Sequence, residues 1–253
     1  AAKSSITRYQ ARGDVVVFNA DCPRATELAE LSPARSLAFG RERPDLLGDT
    51  SGPLLGDFNN ANIWPAIFIG RHFGIDDPDL AASIPSFRPL AGRLETVADN
   101  DGVRFVCDIR STAPEVTVAA LDALGDSVHF LFLGGVDRKQ DYRLLVPALE
   151  RSAVRHIILF PPTGARIRAL VEGTPLAERL AMFEPSSMQE AIGYVYSKAP
   201  ARSSVCLMST AAPSHGGLFA GPQDKARRLR HTPSLHRHKR GRGEKGERRN
   251  TRR

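Results

Sequence analysis

FRPLAGRLETVADNDGVRFVCDIRST, residues 87–112, is the stretch whose reading decides how this chain folds. It reads as a turn carrying a lone arginine, Arg93, then a linker, then a short apolar run from Val103 to Cys107. That run stops abruptly at Asp108-Ile109-Arg110-Ser111-Thr112, ahead of a helical pattern. A strand handing over to a helix through a polar loop is the repeating unit of an open parallel sheet. In such sheets the residues just past a strand's carboxyl end face the crevice where ligands bind. Asp108, Arg110 and Thr112 hold those positions. The same side chains are also ordinary helix starters, because Asp and Thr cap exposed N–H groups, and local pattern leaves both readings open.

Downstream, strand and helix patterns alternate. Helix 114–124 precedes strand 128–133, helix 142–151 precedes strand 156–160, and helix 165–172 precedes a weak strand at 181–183. Helix 187–197 and strand 205–208 close the series. Strands separated by helices of about ten residues imply right-handed βαβ units and a sheet covered on both faces. The expected class is therefore α/β, a Rossmann-like, mostly parallel sheet. Two more strand ends open into loops rather than plain turns. Gly134-Gly135-Val136-Asp137-Arg138-Lys139 combines paired glycines with positive charge, and Ser209 to Gly217 is rich in small residues that expose N–H and hydroxyl donors. With Arg110 and Thr112 these loops make a candidate anion pocket at one sheet edge.

Upstream, residues 1–12 read as a helix tail, 14–19 as a β-branched strand closed by Asn19-Ala20-Asp21, 27–31 as a short helix and 36–40 as a short strand. Residues 41–56, rich in Gly, Pro and Asp, read as a linker. Helical spacing from Asn59 to Phe73, stopped by Gly74, predicts a helix whose first turn holds Asn59 and Asn62, with Pro65 falling early enough to be tolerated. A second short helix follows at 79–84.

Composition narrows the classes. The formal charge of +7 belongs to the end of the chain: residues 223–253 hold 13 Lys+Arg against 3 Asp+Glu, and removing them from the totals of 35 and 28 leaves 22 against 25. That tail reads as solvated and structureless rather than as a nucleic-acid-binding arm. Three scattered cysteines, Cys22, Cys107 and Cys206, make neither a disulfide framework nor a metal-binding pair, which fits a reducing, cytosolic setting. No apolar run is long enough to cross a bilayer, so no membrane partner is expected. The first residues, AAKSSITRYQ, begin in mid-pattern without Met, which reads as a piece of something longer.

At these residues the sequence resembles the Mur ligases, over roughly residues 1–219. Gly56 to Asn62 is similar to the family's Gly-His-Asn pattern, Gly92-Arg93-Leu94-Glu95 to its His-Arg-x-Glu, and Cys107 to Ala113 to its Asn-Asp-Ser-Lys-Ala-Thr-Asn. Gly134 to Tyr142 resembles its glycine pair with a following basic residue, and Ser209 to Ser214 its Ser-Pro-Ala-x-x-Ser, the version carried by the D-glutamate-adding branch.

The resemblance implies an ATP-dependent ligase that joins D-glutamate to UDP-N-acetylmuramoyl-L-alanine through an acyl phosphate, in peptidoglycan synthesis. Residues 1–47 would be the end of a central ATP-binding domain, 48–222 a carboxyl-terminal domain and 223–253 a basic tail. It implies Asn59 and Asn62 at the adenine of ATP, Arg93 at its phosphates and Asp108 at its ribose. Thr112, Arg138, Ser214 and His215 would hold D-glutamate, Arg110 would stand in for the catalytic lysine, and Lys3, as a carbamate, would hold Mg²⁺. A monomer is expected. The chain departs from the family at Gly92, Ile109, Arg110 and Thr210, where the pattern has His, Ser, Lys and Pro, and Arg does not reproduce Lys geometry. It also contains no Gly-x-x-Gly-x-x-Gly-Lys-Ser/Thr phosphate loop, so the isolated polypeptide is expected to be inactive. Two rivals remain: a dinucleotide-dependent oxidoreductase, for which the Gly-x-Gly-x-x-Gly fingerprint is missing, and a non-catalytic binding module with a basic tail.

Overall fold

A computed structural model describes residues 4–40, 42, 44–47, 54, 56–200 and 204–213. The chain divides into two compact units, Ala1–Leu90 and Ala91–Arg253. The packing division thus falls after Leu90, whereas the domain boundary read from the family resemblance is at residue 47.

In the first unit a single helical turn, α1 (Ser5–Arg8), replaces the longer helix tail expected over 1–12. Strands β1 (Val15–Asn19) and β2 (Arg35–Phe39) pair in parallel around α2 (Pro23–Glu30). The expected linker contributes a 3₁₀ turn, Asp45–Leu47, whose Leu47 is buried with Ile63, Ile67 and Leu80, so apolar burial recruits part of it into a small core. Helix α3 (Asn60–His72) keeps Pro65 inside, beyond the first turn, where proline forfeits an N–H bond. Asp76 caps the following α4 (Asp77–Ser83) by accepting the Asp79 N–H at 3.1 Å.

The second unit is a six-stranded sheet. Its first strand, β3 (Glu95–Asn100), corrects the linker expected there: it pairs antiparallel with β4 (Val103–Cys107), with Asn100 opposite Val103. The signal was Asp101-Gly102. Both residues have positive φ, 51° and 79°, which is the two-residue hairpin turn that Asp-Gly favours. Beyond it come α5 (Pro114–Leu124), β5 (Val128–Gly134), α6 (Leu145–Glu150), β6 (His156–Phe160), α7 (Gly164–Glu172), α8 (Leu176–Arg179), β7 (Ala181–Phe183), α9 (Met188–Lys198) and β8 (Ser204–Met208). The short α8 has no counterpart in the sequence reading.

Sheet order is β3-β4-β8-β5-β6-β7, with every pair after β3/β4 parallel. Alternation along the strands explains the two cores. Leu131, Leu133, Leu159 and Leu207 face α5 to α8, while Phe130, Phe132, Ile158, Cys206 and Met208 share the other core with Met188, Ala191, Ile192 and Val195 of α9. Strands buried on both faces read as near-continuous apolar runs, which is why the sequence located them so closely. The chain steps β4, β5, β6, β7 in one direction, then returns through α9 to insert β8 between β4 and β5. The exits of β4, β8 and β5 are therefore neighbours at a topological switch point, where open α/β sheets take their ligands. No helix among the described residues is long and apolar enough to cross a membrane.

Candidate functional site

Asp108 follows β4 directly and is 3% exposed. Neither it nor Thr112 caps α5, whose N-cap is Ala113, so the helix-start alternative does not hold. Instead the Asp108 carboxylate collects donors from three segments: the Ser111 hydroxyl, the Ser209 hydroxyl at 3.0 Å and the Leu94 backbone N–H. Thr117, buried on α5, donates to the Ser209 carbonyl at 3.3 Å and lies 2.9 Å from its hydroxyl. Burial pushes the Asp108 carboxyl above its ordinary range, and these hydrogen bonds together with the charge of exposed Arg93 oppose the rise.

The β8 exit corrects a second expectation. Ser209 and Thr210 are fully buried, and the Thr210 hydroxyl donates to the Ala212 carbonyl at 2.8 Å, so both hydroxyls serve the protein itself rather than facing a ligand. Gly134 N–H donates to the Thr210 carbonyl at 2.9 Å and Val136 N–H to the Pro213 carbonyl at 2.9 Å, which ties β8's exit to that of β5. Gly135 exchanges two bonds with the Thr163 hydroxyl just past β6, at 2.9 and 3.0 Å.

Two of the departures from the family pattern touch each other. Gly92 has φ +75°, and a Cβ there would lie 2.8 Å from the Ile109 side chain, so Ile109 fills the space that a larger residue at 92 would need. Arg110 closes the same turn from the other side: its Nε donates to the Ala91 carbonyl at 2.9 Å and its backbone N–H to the Gly92 carbonyl at 3.4 Å. Arg93, Asp108 and Arg110 are thereby held around one turn.

On the β5 exit the cations sort themselves by partner. Arg143 pairs with Asp141, whose carboxyl it lowers to about 2. Arg166, from α7, pairs with Asp137 at 2.7 Å and lies 5.3 Å over the Tyr142 ring. The Lys139 N–H, ahead of Arg166, lowers the Asp137 carboxyl below its usual range. Exposed Arg138 makes no ion pair among the described residues. Its backbone N–H donates to Gln140 Oε1 at 2.8 Å, and Gln140 Nε2 donates to the Thr112 carbonyl at 3.4 Å. Thr112, like Arg138, is exposed. Of the four non-glycine residues with positive φ among the described residues, Leu94, Lys139 and Ala211 stand on these loops, as strained residues at ligand sites do.

The structure thus brings together Arg93, Asp108, Arg110, Thr112 and Arg138. Asn59 and Asn62 belong to the first unit, where Asn62 Nδ2 donates to Asn59 Oδ1 at 2.8 Å. Lys3, Ser214 and His215 lie outside the described residues. Sequence reasoning did not single out Ser111, Thr117, Gln140, Thr163 or Arg166. Gln140 and Arg166 sit in unremarkable local contexts, and only pairing across loops reveals them. Among the described residues no group of three or more His, Cys, Asp and Glu side chains could hold a metal ion.

No family model matches the chain. It is 31% identical over 185 residues to the UDP-N-acetylmuramoyl-L-alanine--L-glutamate ligase of Xanthomonas euvesicatoria, covering 72% of this chain and 38% of that protein. The protein of the same name from Salinispora tropica is 31% identical over 210 residues, which are 81% of this chain and 45% of that one. The chain therefore spans less than half the length of these curated relatives. Among solved structures, MurF from Acinetobacter baumannii aligns with a TM-score of 0.64 at 18% identity, over 83% of this chain and 51% of that one. A Mycobacterium tuberculosis folylpolyglutamate synthase complexed with ADP aligns with a TM-score of 0.64 at 15% identity, over 92% and 60%. Both agree with a mostly parallel sheet between layers of helices.

Proposed function

Since the chain belongs to the Mur ligase family, we propose that it carries the amino-acid-binding part, with part of the ATP site, of an ADP-forming ligase joining glutamate to UDP-N-acetylmuramoyl-L-alanine in peptidoglycan synthesis. The relatives' names carry L-glutamate, so the L form is the proposed acceptor, and the D form implied by the motif resemblance is the alternative that the same experiment tests. Residues 1–47 act in this reading as the end of a central ATP-binding domain and 48–222 as the carboxyl-terminal domain.

The observation that carries the proposal is Arg138. Among the described residues it shares with Lys139 the lack of an ion pair at the β5 exit, and it is the one whose backbone Gln140 links to that of Thr112. A guanidinium beside a hydroxyl suits a carboxylate, because charge-assisted hydrogen bonds are short and about twice as strong as neutral ones. Glutamate carries two carboxylates, and Ser214 and His215 remain proposed partners for the second.

ATP would supply a phosphoryl group to the alanyl carboxylate of UDP-N-acetylmuramoyl-L-alanine, releasing ADP, and the glutamate amine would open the resulting acyl phosphate to give the amide and phosphate. The chain's own residues would then do the following. Arg93 balances charge on phosphate oxygens, and Arg110, held through Nε by the Ala91 carbonyl, keeps its terminal nitrogens for the developing oxyanion. Asp108 reaches the ribose by exchanging one of the hydroxyls it now holds. No step is assigned to Mg²⁺, for which the described residues offer no ligand cluster, and the Lys3 carbamate stays a proposal. Turnover in this reading needs a phosphate loop, which the 253 residues do not contain.

Equilibrium dialysis of radiolabelled L- and D-glutamate against the full chain tests the reading. The expected outcome is preferential binding of the L form, weakened at least ~10-fold by Arg138→Ala. Binding of neither enantiomer, or equal binding by the variant, rejects the assignment. ADP release by this chain alone, supplied with ATP, glutamate and UDP-N-acetylmuramoyl-L-alanine, would overturn the claim that it is silent in isolation.

A further inference from the structure

We infer that Gln140 is a positioning residue whose side-chain amide sets the spacing between the Arg138 guanidinium and the Thr112 hydroxyl. This rests on the glutamate reading of the rim.

Gln140 stands between two exit loops and uses both ends of its amide. Oε1 accepts the Arg138 N–H at 2.8 Å, and Nε2 donates to the Thr112 carbonyl at 3.4 Å. Both residues it holds are exposed, and Thr112 gains no order from helix capping because Ala113 occupies that position. Between Arg138 and Gln140 lies Lys139 at φ +60°, a backbone state that side chains other than glycine disfavour and that persists only where surroundings enforce it.

The loop's path has separate supports. Arg166 donates to the Gln140 backbone carbonyl at 3.0 Å and to Asp137 Oδ1 at 2.7 Å, and Asp137 Oδ1 also accepts the Lys139 N–H at 2.7 Å. Removing the amide therefore leaves the loop folded and frees Arg138 and Thr112 to move relative to each other. A ligand gripped by both must then order them on binding, and that cost appears as lost affinity.

Gln140→Met, nearly the same length but without either hydrogen bond, separates the two effects. In calorimetric titration of the full 253-residue chain with L-glutamate, the variant is expected to bind ~10-fold more weakly, with an unchanged thermal midpoint and faster amide exchange at Arg138. A merely structural residue would lower the midpoint along with affinity. Wild-type affinity in Gln140→Met, or weakened binding accompanied by a lowered midpoint, overturns the inference while leaving the glutamate reading intact. A wild-type chain that binds neither enantiomer overturns that reading and this inference with it.

Discussion

The exits of β8 and β5 are adjacent on one rim and put their polar groups to opposite uses. From Ser209 to Ala212 every residue is fully buried, and the hydroxyls of Ser209 and Thr210 are spent on Asp108 and on the Ala212 carbonyl. From Asp137 to Lys139 every residue is exposed, two acids neutralise Arg166 and Arg143, and Arg138 and Lys139 are left without an ion pair among the described residues. One loop is a brace and the other a hand. Small polar residues after a strand therefore do not by themselves identify a ligand contact. What separates the two cases is whether the donors still have capacity once the loop has satisfied itself.

Mutations should divide along the same line, and their effects on stability can be ranked. The junction between brace and hand is Gly134, with φ +99° and a would-be Cβ only 2.2 Å from the Phe160 carbonyl oxygen. Gly134→Ala is expected to cost more than about 4 kcal/mol, read as a collapse of the denaturant midpoint or loss of folded protein. A variant that unfolds like wild type would show the junction to be far softer than its geometry. Within the brace, Ser209→Ala should cost about 1–3 kcal/mol, because it strips one donor from a buried carboxylate. A neutral result would dissolve the contrast between the loops.

Asp108 adds a pH signature. Its carboxyl is raised by burial, so the folded state holds the proton more tightly than the unfolded chain. The stability that this contributes is full below the ordinary carboxylate range and is lost as pH climbs through the raised value. Asp108→Asn should flatten that slope, and unfolding midpoints taken from about pH 4 to pH 7 would reveal a slope that persists if another group is responsible. In the hand, Arg138→Ala should move stability by no more than ~0.5 kcal/mol even as it weakens glutamate binding. A large loss of stability there would make Arg138 part of the brace.

Much of this molecule could be read along the chain. The buried parallel strands announced themselves as apolar runs, and their helices as periodic patterns, because burial on both faces constrains all of β8 and all of β5 but half-buried His129. Asp108, Arg110, Thr112 and Arg138 were legible as strand-exit residues for the same reason. β3 was not, because an edge strand exposed on one side carries little apolar signal, although Asp101-Gly102 marked its turn. Pattern could not tell that Ser209 would turn inward to Asp108, that Ile109 would fill the space beside Gly92, or that Gln140 would join Thr112 to Arg138. Each of those depends on groups 17 to 101 positions apart meeting in space. Hydrogen-bond capacity is settled only when the partners arrive: residue type states what a side chain can donate or accept, and packing alone states what it has left.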